Sequence, residues 1–359
     1  MGQEVNFNQV IYLIFGFITG SSVLLLPGLE AENAAWIAVA LGTLIGMLLI
    51  AFYLKLSSIN EGADIIGVSI MRLGPVLGRA VALGYVWYFL HLGSLIVRDV
   101  TEFSTTVSFP QTPQVAIAII LLLLMVSLVR NGVEAMAKFT QVVVPVLLIF
   151  VFLLVTLLLN KVNLSNLKPW FPVDLKMFAK AVFSTVSFPF AEAVVLTVLF
   201  PFTQINKKSM VLAVGTVAFS GLILVLANTI TISTLGAFAF NATFPAFEAA
   251  RNIEALNFVE RVEVMSSITF LIGAMIKLSV CLFGASVGLA QIFKLSSYQS
   301  MVIPAAVLIG NMSILMYENL YQLITWSIDI YPYYALPFEI LIPGLLFVIS
   351  LMGKKAKPA

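Results

Sequence analysis

Four ionisable side chains fall inside otherwise apolar stretches of this chain: His91, Glu192, Lys277 and Glu339. A charge taken into hydrocarbon is costly, so each is a functional candidate by default. Glu192 can pair with a ligand ammonium or relay a proton. Its structural alternative is a carboxylate that caps the backbone N–H groups freed after Pro189. Lys277 sits near the middle of its stretch, with the hydroxyls of Ser279 and Ser286 nearby as oxygens that could serve a cation. The lysine is expected to bridge to the first helix or to Glu192, against the alternative of reaching to an interface. Lys277→Ala is then expected to abolish function and leave the protein assembled. Glu339 follows Pro337 and reads as a helix-end cap. His91 titrates in a range suited to pH sensing, but a lone histidine reads more simply as a packed, hydrogen-bonding residue.

Two stretches are interrupted. The first contains Thr19-Gly20-Ser21-Ser22 and the sixth contains Ser187-Phe188-Pro189-Phe190-Ala191. Such residues free backbone polar groups, which hydrocarbon cannot satisfy, so they persist where they line a polar cavity. Matching breaks in two halves of a chain point to a small-molecule site between inverted repeats. The alternative is a pair of ordinary kinks or close-packing points. Free amides at a half-helix N-terminus attract a carboxylate, which makes Gly20, Ser21 and Ser22, with Thr19 beside them, the expected carboxylate contacts. Gly20 would allow close approach to the backbone. Ser187, Phe188 and Phe190 could supply a carbonyl for an ammonium and an aromatic wall. Tyr88, Leu92 and Leu95 share a face of the third helix, and Tyr88 can donate a hydroxyl. For both leucines plain packing is the simpler reading. Lys277, Ser279, Glu192 and Pro189 form the expected coupling and gating set. Arg98, Asp99 and Glu102 end the third helix; Arg98 and Glu102 can pair at i, i+4, as a helix-end ion pair or an outer gate.

The elements that must hold these residues are membrane helices. Of 359 residues, 61% are hydrophobic and 10% charged, with a mean hydropathy of +1.07. So little polar surface could not coat a water-soluble core of that size. A spanning helix needs about 20 mostly apolar residues. Candidate spans fall at 7–27, 34–55, 80–102, 114–130, 138–160, 178–200, 209–236, 263–290, 300–317 and 333–352. They read as a single membrane domain of two five-helix halves, 7–160 and 178–352. The connection 241–262 reads as an extracytoplasmic amphipathic loop. In it Glu248, Arg251 and Glu254 share one face, opposite Phe244, Phe247 and Leu256. It could lie over the outer mouth or be a solvated surface helix.

An even number of spans places both termini on one side. With that side cytoplasmic, inner segments hold 11 basic residues, among them Lys354, Lys355 and Lys357, against 7 in outer segments. Acidic residues run the other way, and this asymmetry sets orientation. Trp170 is the expected interfacial anchor of the long loop 161–177. The first stretch lacks the charge and cleavage pattern of a signal peptide.

The opening FNQVIYLIFGFITGSSVLLLPG, the segment YVWYFLHLGSLIVRDVTEF and the segment FSTVSFPFAEAVVLTVLFPF resemble the first, third and sixth helices of spore germination permeases, the B subunits of nutrient germinant receptors. The resemblance covers essentially the whole chain in length and helix count. It implies membership of the amino acid–polyamine–organocation superfamily and an all-α, LeuT-like fold of two inverted five-helix repeats with broken helices 1 and 6. It further implies a ligand-sensing subunit in the bacterial spore inner membrane that binds a small nutrient, typically an amino acid. Such a subunit works with an A subunit and a lipoprotein C subunit, and release of ions and dipicolinate follows. In LeuT-like sodium symporters helices 1 and 8 hold a sodium ion, so the ammonium of Lys277 could stand in for that cation.

Other functions fare worse. The net charge of +2 gives no footprint for nucleic acid. A single cysteine and a single histidine leave neither a disulfide nor a metal cluster rich in those ligands. No nucleophile–base constellation or phosphate-cradling loop marks an enzyme, and no cofactor is expected. A working amino-acid or amine permease remains the alternative to a receptor subunit, as does a cation path opened by the ligand.

Overall fold

The computed structural model describes residues 5–253 and 261–352. Glu254, Leu256 and Lys354, Lys355 and Lys357 lie outside them. The described residues form a helical membrane protein. Eight helices are long and apolar enough to span: α1 (Phe7–Leu25), α2 (Leu29–Ile59), α3 (Leu77–Ser108), α5 (Val133–Lys161), α6 (Leu175–Phe202), α7 (Lys207–Phe240), α8 (Glu263–Ile292) and α10 (Leu320–Met352). Between them run the shorter apolar α4 (Gln114–Arg130) and α9 (Gln299–Leu315), of 17 residues each. All ten coincide with the expected spans, apart from their ends.

The largest difference is in α10, which starts at Leu320 rather than at 333. Asp329 and Pro332 interrupt the apolar pattern there. Two wide turns, Trp326–Ile330 and Pro337–Leu341, carry the helix through its prolines, because proline brings no N–H to the helical ladder. Asp329 pairs with Lys180 of α6.

Helix ends follow local chemistry. Asn6 caps α1 in a reciprocal box with Gln9, Asp174 accepts from the amides of Lys176 and Met177 at the start of α6, and Asn206 caps α7 with Ser209. At the other end of α1, Leu26 and Gly28 adopt φ of 48° and 85° and turn the chain into α2.

Packing has a two-fold logic. Helix α1 packs on α6, α2 on α7, α3 on α8 and α4 on α9; α1 also packs on α7 as α6 does on α2, and α3 on α9 as α8 does on α4. Adding five to each helix number returns the same set, which is the signature of two repeats with one topology. Without water to drive helices together in hydrocarbon, close contact depends on small residues. A Cβ on Gly20 would lie 2.2 Å from Gly273 Cα, so α1 and α8 touch backbone to backbone. Gly46 of α2 makes the slot for the ring of Phe190, Gly42 of α2 faces Thr185, and Gly221 of α7 seats Thr43.

Between α7 and α8 the short helix Pro245–Arg251 is tied by an Arg251–Glu248 ion pair of 3.2 Å. Its apolar side docks on α3 and α8: Phe103 lies edge-on to Phe244 and Phe247 at 4.9 and 5.7 Å and beside Phe270 at 5.0 Å. This helix packs on Ser22–Leu25 at the far end of α1, on the side opposite Phe7 and Met352, where the described helices begin and end.

Candidate functional site

Helix α6 breaks where proline dictates. Pro189 has no amide hydrogen, and its ring disfavours helical dihedrals in the residue before it. Phe188 is accordingly extended, with φ −109° and ψ 118°. Helix α1 yields more mildly: it is regular to Thr19, turns at Gly20 and Ser21, and resumes for Ser22–Leu25. Between the two breaks, and against α3, α8 and α10, lies a cavity of about 330 Å³.

Six of the site residues expected from sequence line it: Ser21, Leu92, Leu95, Phe188, Glu192 and Lys277. Asp99, Tyr331 and Phe244 join them. Leu25 to Glu30, Phe240 to Pro245 and Leu320 to Ile328 contribute the outer walls. The cavity therefore reaches toward the side opposite the termini. Leu13, Phe89, Val198, Phe200 and Phe283 do not line it, and all five are fully buried.

At its floor Lys277 and Glu192 form an ion pair, each side chain at most 2% exposed. The ammonium also lies 4.4 Å from the ring centre of Phe188 and 5.3 Å from that of Phe17, so aromatic faces share in holding it. The second carboxylate oxygen of Glu192 accepts from Tyr331 Oη at 2.7 Å. Tyr331 and Tyr88 hydroxyls meet at 3.1 Å, Tyr88 donates to Glu339 Oε1 at 2.8 Å, and Ser187 Oγ donates to Glu339 Oε2 at 2.8 Å. Tyr53 donates to the carbonyls of Ala191 and Glu339 at 3.1 and 2.8 Å. A continuous polar chain thus joins α8, α6, α10 and α3 through the centre of an apolar molecule. Buried charges persist on such terms, when paired and hydrogen-bonded.

The remaining expected residues lie elsewhere. Gly20 spends its missing side chain on the contact with Gly273 rather than on the cavity. Thr19 and Ser22 are fully buried behind the break, and their hydroxyls have no partner among the described residues. Tyr88 and Ser187 act in the polar chain, not on the cavity wall. Phe190 fills the glycine slot of α2 and is not the aromatic wall; Phe188 is. Pro189 is buried and sets the break. Ser279 and Ser286 donate to carbonyls of their own helix, Ile276 and Leu282, at 2.7 Å each. His91 packs among Trp87, Trp326 and Tyr334 and reaches Tyr317 Oη at 3.4 Å. Arg98 and Glu102 pair at 2.7 Å. Among the described residues no three His, Cys, Asp or Glu side chains cluster as metal ligands.

Glu339, read from sequence as a helix-end cap, instead accepts from Tyr88 and Ser187 in the polar chain, and Tyr331 was not among the sequence candidates. The signal for Glu339 was its position within an apolar span, where a carboxylate without a partner is untenable. Tyr331 fell before the expected start of α10 and so escaped notice.

Residues 4–321 match the sequence profile described as spore germination protein. Over 99% of this chain and 96% of the relative's, it is 26% identical to spore germination protein KB of Bacillus subtilis. It is 22% identical to spore germination protein B2 of the same organism, over 98% and 96% of the two chains. Among solved structures it superposes on MhsT in complex with L-phenylalanine with a TM-score of 0.67 at 14% identity, covering 98% of this chain and 96% of the other. It matches the closed conformation of Mhp1, a nucleobase-cation-symport-1 family transporter, with 0.60 at 17%, covering 98% and 90%. These likenesses establish the fold as the LeuT-like one of transporters, with two five-helix repeats and broken first and sixth helices. With profile and relatives spanning nearly its whole length, the chain belongs to the spore germination protein family of integral membrane proteins.

Proposed function

We propose that this protein is the nutrient-sensing B-type subunit of a spore germination receptor, resident in the spore inner membrane with both termini cytoplasmic. Its ligand is a small nutrient, an amino acid by preference, bound in the cavity between α1, α3, α6, α8 and α10. The observation that carries this reading is the cavity itself, walled mostly by apolar side chains and floored by the Lys277–Glu192 pair. A small number of fixed polar groups in an apolar hollow is how small-molecule sites are built. Binding there bears on four helices joined by one polar chain, so a ligand that favours one arrangement of those helices shifts the population of the whole subunit. A and C subunits would read that shift.

A working permease uses the same cavity, and the transporter fold favours it as the second reading. Vesicles containing only this protein separate the two. Ligand binding without saturable uptake of labelled amino acid supports the receptor, and saturable uptake supports the permease.

A further inference from the structure

Asp99 lies on the outer part of α3 and lines the cavity. It is half-buried, and among the described residues its carboxylate makes no hydrogen bond and no ion pair. Its neighbours are taken: Arg98 holds Glu102, and Glu192 is held by Lys277 and Tyr331. The cavity that Asp99 lines has a largely apolar wall, Leu92, Leu95, Ile96 and Leu323 among its residues. Three carboxylates, those of Glu30, Asp99 and Glu192, face this hollow against the one ammonium of Lys277. Glu30 has Ser184 and the charge of Lys180 beside it. That leaves Asp99 as the wall carboxylate without a partner of its own, and a partly desolvated charge in that position favours a cation.

We infer that Asp99 anchors the ammonium of the ligand, so that the cavity selects amine-bearing molecules, α-amino acids in particular, over neutral sugars and free carboxylic acids. This deepens the proposed function and rests on it. Lys277 lines the same cavity, so a zwitterion bound at Asp99 presents its carboxylate to the lysine and competes there with Glu192. The apolar side chain of the ligand then faces Leu92, Phe188 and Ile324.

Thermal unfolding of the full-length protein in detergent tests this, with the twenty standard L-amino acids and D-glucose as probes. For the amino acid that stabilises most, the matching primary amine and the matching deaminated acid are then compared. The amine is expected to retain stabilisation and the acid to lose it. Asp99→Asn is expected to weaken the amino acid roughly tenfold or more, the range of a lost charge-assisted hydrogen bond, with the ligand-free transition undisturbed. An acid that binds as well as the amino acid overturns the inference, as does an Asp99→Asn protein that titrates like wild type. The amine–acid comparison uses wild-type protein, so it decides even if the variant does not fold. Stabilisation by D-glucose alone, abolished by Leu92→Trp, would keep the cavity as the site and sink the ammonium anchor. No stabilisation by any probe would sink both.

Discussion

A lysine and a glutamate in direct contact at the centre of a membrane protein are safe only as a pair. Removing one partner of a buried ion pair leaves the other charged in a medium that cannot solvate it, at a cost of about 3–5 kcal/mol. Lys277→Met is therefore expected to lower the thermal midpoint sharply, because Glu192 is left with Tyr331 as its hydrogen-bond donor. Adding Glu192→Gln removes the orphaned charge while keeping an acceptor for Tyr331, and should restore most of the loss. Unfolding curves of the single and double variants check this; a Lys277→Met protein as stable as wild type would show that the pair carries no such tension. Both variants should also fail to be stabilised by ligand if the lysine takes part in binding.

At the scale of elements, the two glycines at the α1–α8 crossing, Gly20 and Gly273, set how closely the helices approach, since neither can accept even a methyl group. A Cβ on Gly273 would come within 2.1 Å of Gly20 Cα. Gly20→Ala and Gly273→Ala should each cost about 1–3 kcal/mol through overpacking. Gly215→Ala on α7, with nothing near the added methyl, should be neutral or slightly stabilising through helix propensity. Equal effects at all three positions would remove the packing argument. The contrast also explains what was readable in advance. Spans and breaks were legible because an apolar run and a proline act locally. Which neighbour a glycine meets, or that Phe188 and not Phe190 faces the hollow, depends on the rotation of one helix against another. Spacing along a single helix does not carry that information. Glu339 and Tyr331 were obscured for the same reason: their partners stand on α3 and α6, more than a hundred residues away.

A second link ties α8 to the connection between α2 and α3. Asp64, ahead of the short helix Ile65–Leu73, accepts from Gly67 N and from Gln291 Nε2 of α8, both at 2.6 Å. Burial pushes its carboxyl above the ordinary 3.8, and the two donors pull only partly against this. A raised carboxyl favours the protonated folded form, so its contribution is full below 3.8 and is lost as pH rises through the raised value. Asp64→Asn, which cannot ionise, should gain on wild type in thermal midpoint as pH increases across that window. A difference between the two proteins that stays flat with pH would contradict the assignment.

For the whole molecule, the cavity defines a sidedness that chemistry can read. Its walls extend to Phe240, Ile324 and Ile328 on the side opposite the termini, while Phe200 and Phe283, toward the terminal side, are fully buried and not among its walls. The single native cysteine, Cys281, is fully buried, so the wild-type protein should stay silent toward a charged, membrane-impermeant thiol reagent and provides a clean background. In sealed vesicles of known orientation, Ile324→Cys and Leu92→Cys should react from the side opposite the termini, Leu92→Cys more slowly because it lies deeper. Phe200→Cys should react from neither side. A bound amino acid should protect Leu92→Cys, since that side chain lines the proposed site. Equal labelling of Leu92→Cys from both sides, in the absence of ligand, would mean that the cavity is a through-path rather than a hollow closed on one side, and would move the balance from ligand-sensing subunit toward a conducting one.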